Sequence, residues 1–164
     1  MKYVLIGKIV NTHGLKGEVR ILSDFRYKNK VFVPNMKIYI GASKTAEVIN
    51  TYRHHKIFEM ITMNGYNNIN DILKYKGDYL FVNRADIKLG VNEYLDEEII
   101  NLNVYVDNLF IGTVKKIDKH SKNELLVVKN QEKDYLIPYN FDIILSINIK
   151  EKRIDIQNIK GLIE

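Results

Sequence analysis

The chain has 164 residues, enough for one domain or for two small ones that each bury a modest core. It contains no cysteine, which excludes disulfides, thiolate metal sites and a cysteine nucleophile. The formal net charge is +5, unevenly spread: residues 1–87 hold 14 Lys and Arg against 7 Asp and Glu, whereas residues 88–164 hold 11 against 13. A basic first part suits phosphate, and a mildly acidic second part suits a cationic partner.

From Met1-Lys2 the chain runs directly into Tyr3-Val4-Leu5-Ile6, and Gly7-Lys8 interrupts the apolar run before it reaches signal-peptide or membrane-spanning length. A cytoplasmic protein that does not engage a membrane is therefore expected. Apolar segments of strand length then recur between turn signals, and long helical periodicity is nearly absent. Strands are predicted at Tyr3–Val10, Gly17–Leu22, Lys37–Ile40, Ala46–Tyr52, Ile57–Met63 and Tyr79–Val82, with turns at Asn35, Gly41, His54-His55 and Asn64-Gly65. Six short strands suit a small closed barrel. One helix interrupts them: Asn67 or Asn68 caps its start, Ile69, Ile72 and Leu73 form an apolar stripe, and Gly77 fits just past its end.

Between the first two strands, Gly14 and Gly17 suit backbone angles with positive φ, so His13 and Lys16 project from a tight turn. The pair is no phosphate cradle of P-loop or dinucleotide type, because it lacks the third glycine or a Gly-Lys-Ser/Thr ending and opens no helix. His13 reads either as a turn histidine bonded to backbone or as an RNA contact. From Arg20 in the second strand, the basic residues continue as Arg26, Lys28 and Lys30, interleaved with Phe25 and Tyr27. The cations can neutralise phosphates and the rings can stack on unpaired bases; alternatively this is a solvated loop whose Phe25 packs into the barrel. The four histidines, His13, His54, His55 and His120, fall in no metal-ligand spacing. No catalytic constellation, metal site or cofactor is expected.

Strand periodicity lapses at about 83–92, around Gly90 and Asn92, which reads as a linker. Beyond it, Val104–Val106, Phe110–Asp118, Glu124–Lys129, Tyr135–Pro138, Ile143–Asn148 and Arg153–Ile156 are predicted strands, with turns at Asp107-Asn108, Ser121–Asn123, Asn130-Gln131 and Lys150-Glu151. Pro138 borders a strand because it cannot donate to a ladder. At the entry to this second barrel, Asp96-Glu97-Glu98 is either an exposed acidic run or, beside Tyr94, a surface for a basic protein.

Gly7-Lys8-Ile9-Val10 followed by His13-Gly14-Leu15-Lys16-Gly17-Glu18-Val19 resembles the opening of the RimM family of ribosome maturation factors. Glu93-Tyr94 before Asn101-Leu102-Asn103-Val104, then Ile111-Gly112-Thr113-Val114, Asn123-Glu124-Leu125-Leu126-Val127-Val128 and Leu136-Ile137-Pro138-Tyr139, look like the PRC-barrel that closes such proteins. The chain departs from the family in having Tyr94-Leu95 for a tyrosine pair, Glu98-Ile99 for Asp-Leu and Asn101 for a glycine.

The resemblance implies an all-β protein of two small β-barrels joined by a short linker, with one short helix in the first domain. The barrels would be 1–87 and the PRC-barrel-like 93–164, joined by a linker at 88–92. It also implies a non-enzymatic assembly factor, a monomer without cofactor, acting on the small-subunit head. The second barrel would bind ribosomal protein S nineteen through Tyr94, Leu95, Asp96, Glu97 and Glu98. The first would meet immature small subunits and the 3′ domain of 16S rRNA through His13, Lys16, Arg20, Arg26, Lys28 and Lys30. Two rivals are a stand-alone RNA-binding barrel without ribosomal-protein capture and an RNA-modifying or hydride-transferring enzyme, since small barrels serve all three.

Overall fold

The computed structural model describes residues 1–120 and 122–163. Its internal contacts divide the chain into two compact units, Met1–Leu89 and Gly90–Glu164.

In the first unit, strands β1 (Tyr3–His13), β2 (Glu18–Leu22), β3 (Lys37–Ile40), β4 (Thr45–His55), β5 (Phe58–Met63) and β6 (Tyr79–Asn83) are joined in the closed order β1-β2-β5-β4-β3-β6. Alternation supplies the core, because successive side chains leave a strand on opposite faces. Val4 and Ile6 of β1, Val19 and Ile21 of β2, and Leu80 and Val82 of β6 are buried while their neighbours are not. The ladders slip one residue at Leu5/Gly7, Ile9/Asn11 and Ile49/Thr51. Such bulges bend strands, and that bending lets a short sheet close on itself. Gly7 sits at one of them: a Cβ there would lie 2.8 Å from both Ile21 Cγ2 and the Leu22 carbonyl oxygen.

The predicted helix forms as α2 (Ile69–Ile72), with Asn68 accepting from the Asn70 amide at 2.8 Å, and continues as a 3₁₀ turn, Leu73–Tyr75, before Gly77 at φ 89°. A further helix, α1 (Lys28–Val31), occupies the stretch read as a basic loop and buries Val31, with Tyr27 and Phe32 buried beside it. Tyr27 is thus a core residue and offers no ring to a base, while Phe25 packs edge-on against it at 6.2 Å. The expected turn at His54-His55 is corrected: β4 runs through both residues, and the chain reverses at Lys56-Ile57 with Lys56 at φ 57°. His54 and His55 extend the strand because they pair with Glu59 and Phe58 across the hairpin.

After β6, Asn83 accepts from the Ala85 amide and starts a 3₁₀ turn, Arg84–Asp86, so helical backbone occupies part of the stretch read as a linker. The second unit holds a helix, α3 (Asp96–Ile99), and strands β7 (Asn103–Val106), β8 (Leu109–Asp118), β9 (Leu125–Lys129), β10 (Asp134–Pro138), β11 (Ile144–Asn148) and β12 (Arg153–Ile156). Their order is β10-β9-β8-β7-β12-β11, antiparallel except where β12 pairs with β7, and no ladder joins β10 to β11 among the described residues. Ile99, Val104, Val114, Leu126, Val128, Ile137 and Ile154 form its core. Asp107 and Asn108 both have positive φ, the geometry of a two-residue hairpin turn, as their residue types suggest. Asn101 stands at φ 74°, so it takes the left-handed conformation that a glycine adopts at no steric cost. Of the turn read at Ser121–Asn123, Ser121 lies outside the described residues.

Candidate RNA and protein interfaces

The cations proposed from sequence in the first unit fall into two groups at opposite ends of β2. The first gathers at the Gly14–Gly17 turn. His13 ends β1 opposite Glu18, and Arg20, two residues further along β2, shares Glu18's face of the sheet. Arg20 Nη2 donates to His13 Nδ1 at 2.7 Å, and the guanidinium lies 5.5 Å from the Phe58 ring centre. Lys16 is exposed on the turn beside the exposed Leu15.

Two residues absent from the sequence-based set join this group from β4. Arg53 lies in register with Met60, which faces Arg20, and it grips Glu18 through Nε and Nη2 at 2.9 and 2.8 Å. That grip holds the Glu18 carboxyl below its ordinary acidity range. His55, two residues beyond, brings its ring to 5.8 Å from that of His13. Burial, followed by the charges of Arg53, Lys56, His13 and Arg20, pushes its imidazole below the ordinary histidine value. No local sequence signal could have found this pairing, because 42 positions of chain separate the two rings.

The second group lies beyond the other end of β2. Arg26 precedes α1, which carries Lys28 and Lys30 in its four residues. Lys30 Nζ donates to the Lys88 carbonyl at 2.7 Å, so it fastens the end of the unit, and Arg26 is half-buried. The structure therefore does not assemble the six predicted RNA-facing residues into one patch.

A buried acid was also missed. Glu59 on β5 is 2% exposed, accepts from Tyr52 Oη at 2.7 Å and meets His54 Nδ1 at 3.0 Å. Burial, then the bond to Glu59, pushes the Tyr52 hydroxyl up to about 12. No set of three or more His, Asp or Glu among the described residues could hold a metal ion.

In the second unit the proposed docking residues surround α3. Tyr94 is half-buried and packs against the core. Leu95, expected on the docking surface, is 3% exposed and is corrected to a packing residue. It also starts the helix, its amide donating to Glu98 Oε1 at 3.0 Å. Asp96 forms an ion pair with Lys119 Nζ, and Glu97 is the exposed member of the acidic run. Glu98 thus does local work at the helix start, where a carboxylate is favoured by unsatisfied amides, and Asp96 does so through its ion pair. No helix among the described residues is long and apolar enough to cross a membrane.

Comparison with known proteins bears on both units. The family model for the RimM N-terminal domain matches residues 4–87, and that for the RimM PRC barrel domain matches residues 96–162. Ribosome maturation factor RimM of Staphylococcus haemolyticus is 42% identical over 166 residues, covering 98% of this chain and 99% of the relative. The protein of the same name from Bacillus cytotoxicus is 34% identical over 169 residues, covering 99% of each. A crystal structure described as a 16S ribosomal RNA processing protein RimM from Pseudomonas aeruginosa aligns with TM-score 0.49 at 19% identity, over 96% of this chain and 98% of that one.

Proposed function

The chain belongs to the RimM family of non-enzymatic ribosome maturation factors, and from that premise we propose that it assists assembly of the small-subunit head by binding immature 16S rRNA and ribosomal protein S nineteen. The observation that carries the reading is the tandem match of both family domains in order, with relatives named as ribosome maturation factors aligned over nearly their whole length. The charge asymmetry supports the division of labour. The +7 half gathers Arg20, Arg53 and Lys56 around His55, whereas the second unit carries Asp96, Glu97 and Glu98 near its start.

Such a factor works in the cytoplasm by differential binding: it holds an immature RNA–protein arrangement more tightly than the finished one, so that maturation itself releases it. Nothing in that cycle requires a bond to be made or broken by the protein. The experiment is capture by the tagged full-length chain from extract. Immature small subunits carrying unprocessed 16S rRNA should co-purify in preference to finished subunits, and purified ribosomal protein S nineteen should be retained without RNA. Retention of RNA alone would favour a stand-alone RNA-binding barrel.

A further inference from the structure

The face shared by β2 and β4 concentrates positive charge around a hydrogen bond that only a neutral histidine can make. Arginine carries five N–H donors and no acceptor, so His13 Nδ1 must accept from Arg20 Nη2 and the ring proton must sit on Nε2. One further donor of Arg20 is unsatisfied: its Nε is buried from solvent without a hydrogen-bond partner. The charged and titratable groups around this pair are Glu18 from β2, Arg53 and His55 from β4, and Lys56 from the following turn, while Lys16 of the first turn lines one groove with His13 and Glu18. Glu18 is the carboxylate among them: Arg53 donates to both of its oxygens, and the charges of His13 and His55 also act on it, so one anion already stands beside the two rings and a phosphate would be the second. His54 points to the other face, toward Glu59.

We propose that Arg20, His13 and His55, with Lys56 at the rim, form a binding site for an RNA backbone phosphate whose occupancy is coupled to proton uptake by the two histidines. The proposal rests on the RNA-binding reading above and deepens it. Protonating His13 turns Nδ1 from acceptor to donor, which breaks the bond to Arg20 and sets two cations against each other. A phosphodiester oxygen placed between them accepts from both and removes the conflict. His55 behaves in the same direction, since its neutral form is favoured by burial and by the neighbouring cations until an anion offsets them. Coupling is reciprocal: phosphate raises proton affinity, and protons raise phosphate affinity. The phosphodiester keeps its charge throughout, so binding strengthens as pH falls through the histidine range.

The test is fluorescence anisotropy of the full chain at fixed salt with two probes, an oligouridine of about twenty nucleotides and a transcript of the 16S rRNA 3′ domain, from about pH 7.5 to about pH 5.5. Affinity should rise roughly tenfold over that range, one proton allowing at most a factor of ten per pH unit. His13→Asn keeps an acceptor near the place of Nδ1 but cannot be protonated, so it should flatten the profile. His55→Asn, at a half-exposed position, should flatten it in part even if the first variant folds poorly. His54→Asn should leave the slope unchanged, and Arg20→Gln should weaken binding at every pH. RNA binding that is independent of pH, or a slope that survives in His13→Asn/His55→Asn folded like the parent, would overturn this site while leaving the RNA reading intact. Failure of both probes to bind at any pH would overturn both.

Discussion

At the residue scale, buried polar groups decide more than the count of charges. Glu59 lies inside a ring of apolar strands, where a carboxylate is tolerated only if its oxygens are satisfied, and Tyr52 and His54 satisfy them. The sequence showed Glu59 as one more polar residue in a strand, because burial of a single side chain leaves no local mark. A pH dependence follows. Tyr52 is shifted from 10.0 up to about 12, by burial first and then by the bond to Glu59, so the protonated hydroxyl stabilises the folded state. A raised folded value gives stability that is complete below the unfolded value and is lost as pH climbs from about 10 to about 12. Tyr52→Phe should remove that loss: urea unfolding at about pH 9 and about pH 12 should show the parent losing on the order of 2 kcal/mol more than the variant. Equal losses in the two proteins would refute the assignment.

At the scale of elements, the two short helices α1 and α3 change what their charges can do. Lys28 lies on α1 and is half-exposed, whereas Lys30 is tied to the Lys88 carbonyl. Lys28→Glu is therefore the cleaner probe of RNA contact at this end of β2. If Lys28 meets a phosphate, the variant should bind RNA more weakly, with a salt slope reduced by about 1, and should melt like the parent. An unchanged slope would remove α1 from the interface. On α3, packing and docking separate by position. Leu95→Ala should cost about 2–5 kcal/mol of stability, because it empties a buried site. Glu97→Lys should leave the melting temperature nearly unchanged and weaken capture of ribosomal protein S nineteen, the loss growing as salt is lowered. Capture unaffected by Glu97→Lys at low salt would exclude the acidic run from that contact.

At the scale of the whole molecule, each unit pairs its strands within its own sheet and has its own apolar set. The first is a ring in which every strand has two neighbours, and the second wraps six strands around its core. At the start of the second unit Val91 is 92% exposed, and the Gly90 amide donates to Glu93 Oε1 at 2.6 Å. Residues 1–89 and 90–164, made separately, should each melt cooperatively, and limited proteolysis of the full chain should cut first near Gly90–Asn92. Early cleavage within β4 or β8 instead, or an isolated piece that melts without cooperativity, would show that the units depend on one another.

Local chemistry was enough for much of this protein. Strand alternation, the Gly14–Gly17 and Asp107-Asn108 turns and the Asn68 cap each depend on a few neighbouring residues, so the β-rich architecture, the helix at 69–72 and the family resemblance were legible directly. The reading failed where pairing between distant segments outweighed local preference. His54-His55 looks like a turn until β5 is laid beside it, and Tyr27 looks like a stacking platform until α1 carries it into the core. The site at His13 and His55 exists only because β2 and β5, paired between β1 and β4, bring the ends of those two strands to one face. Short-range propensity acts through adjacent residues, whereas burial and charge environment are properties of space, and only the tertiary fold assigns them.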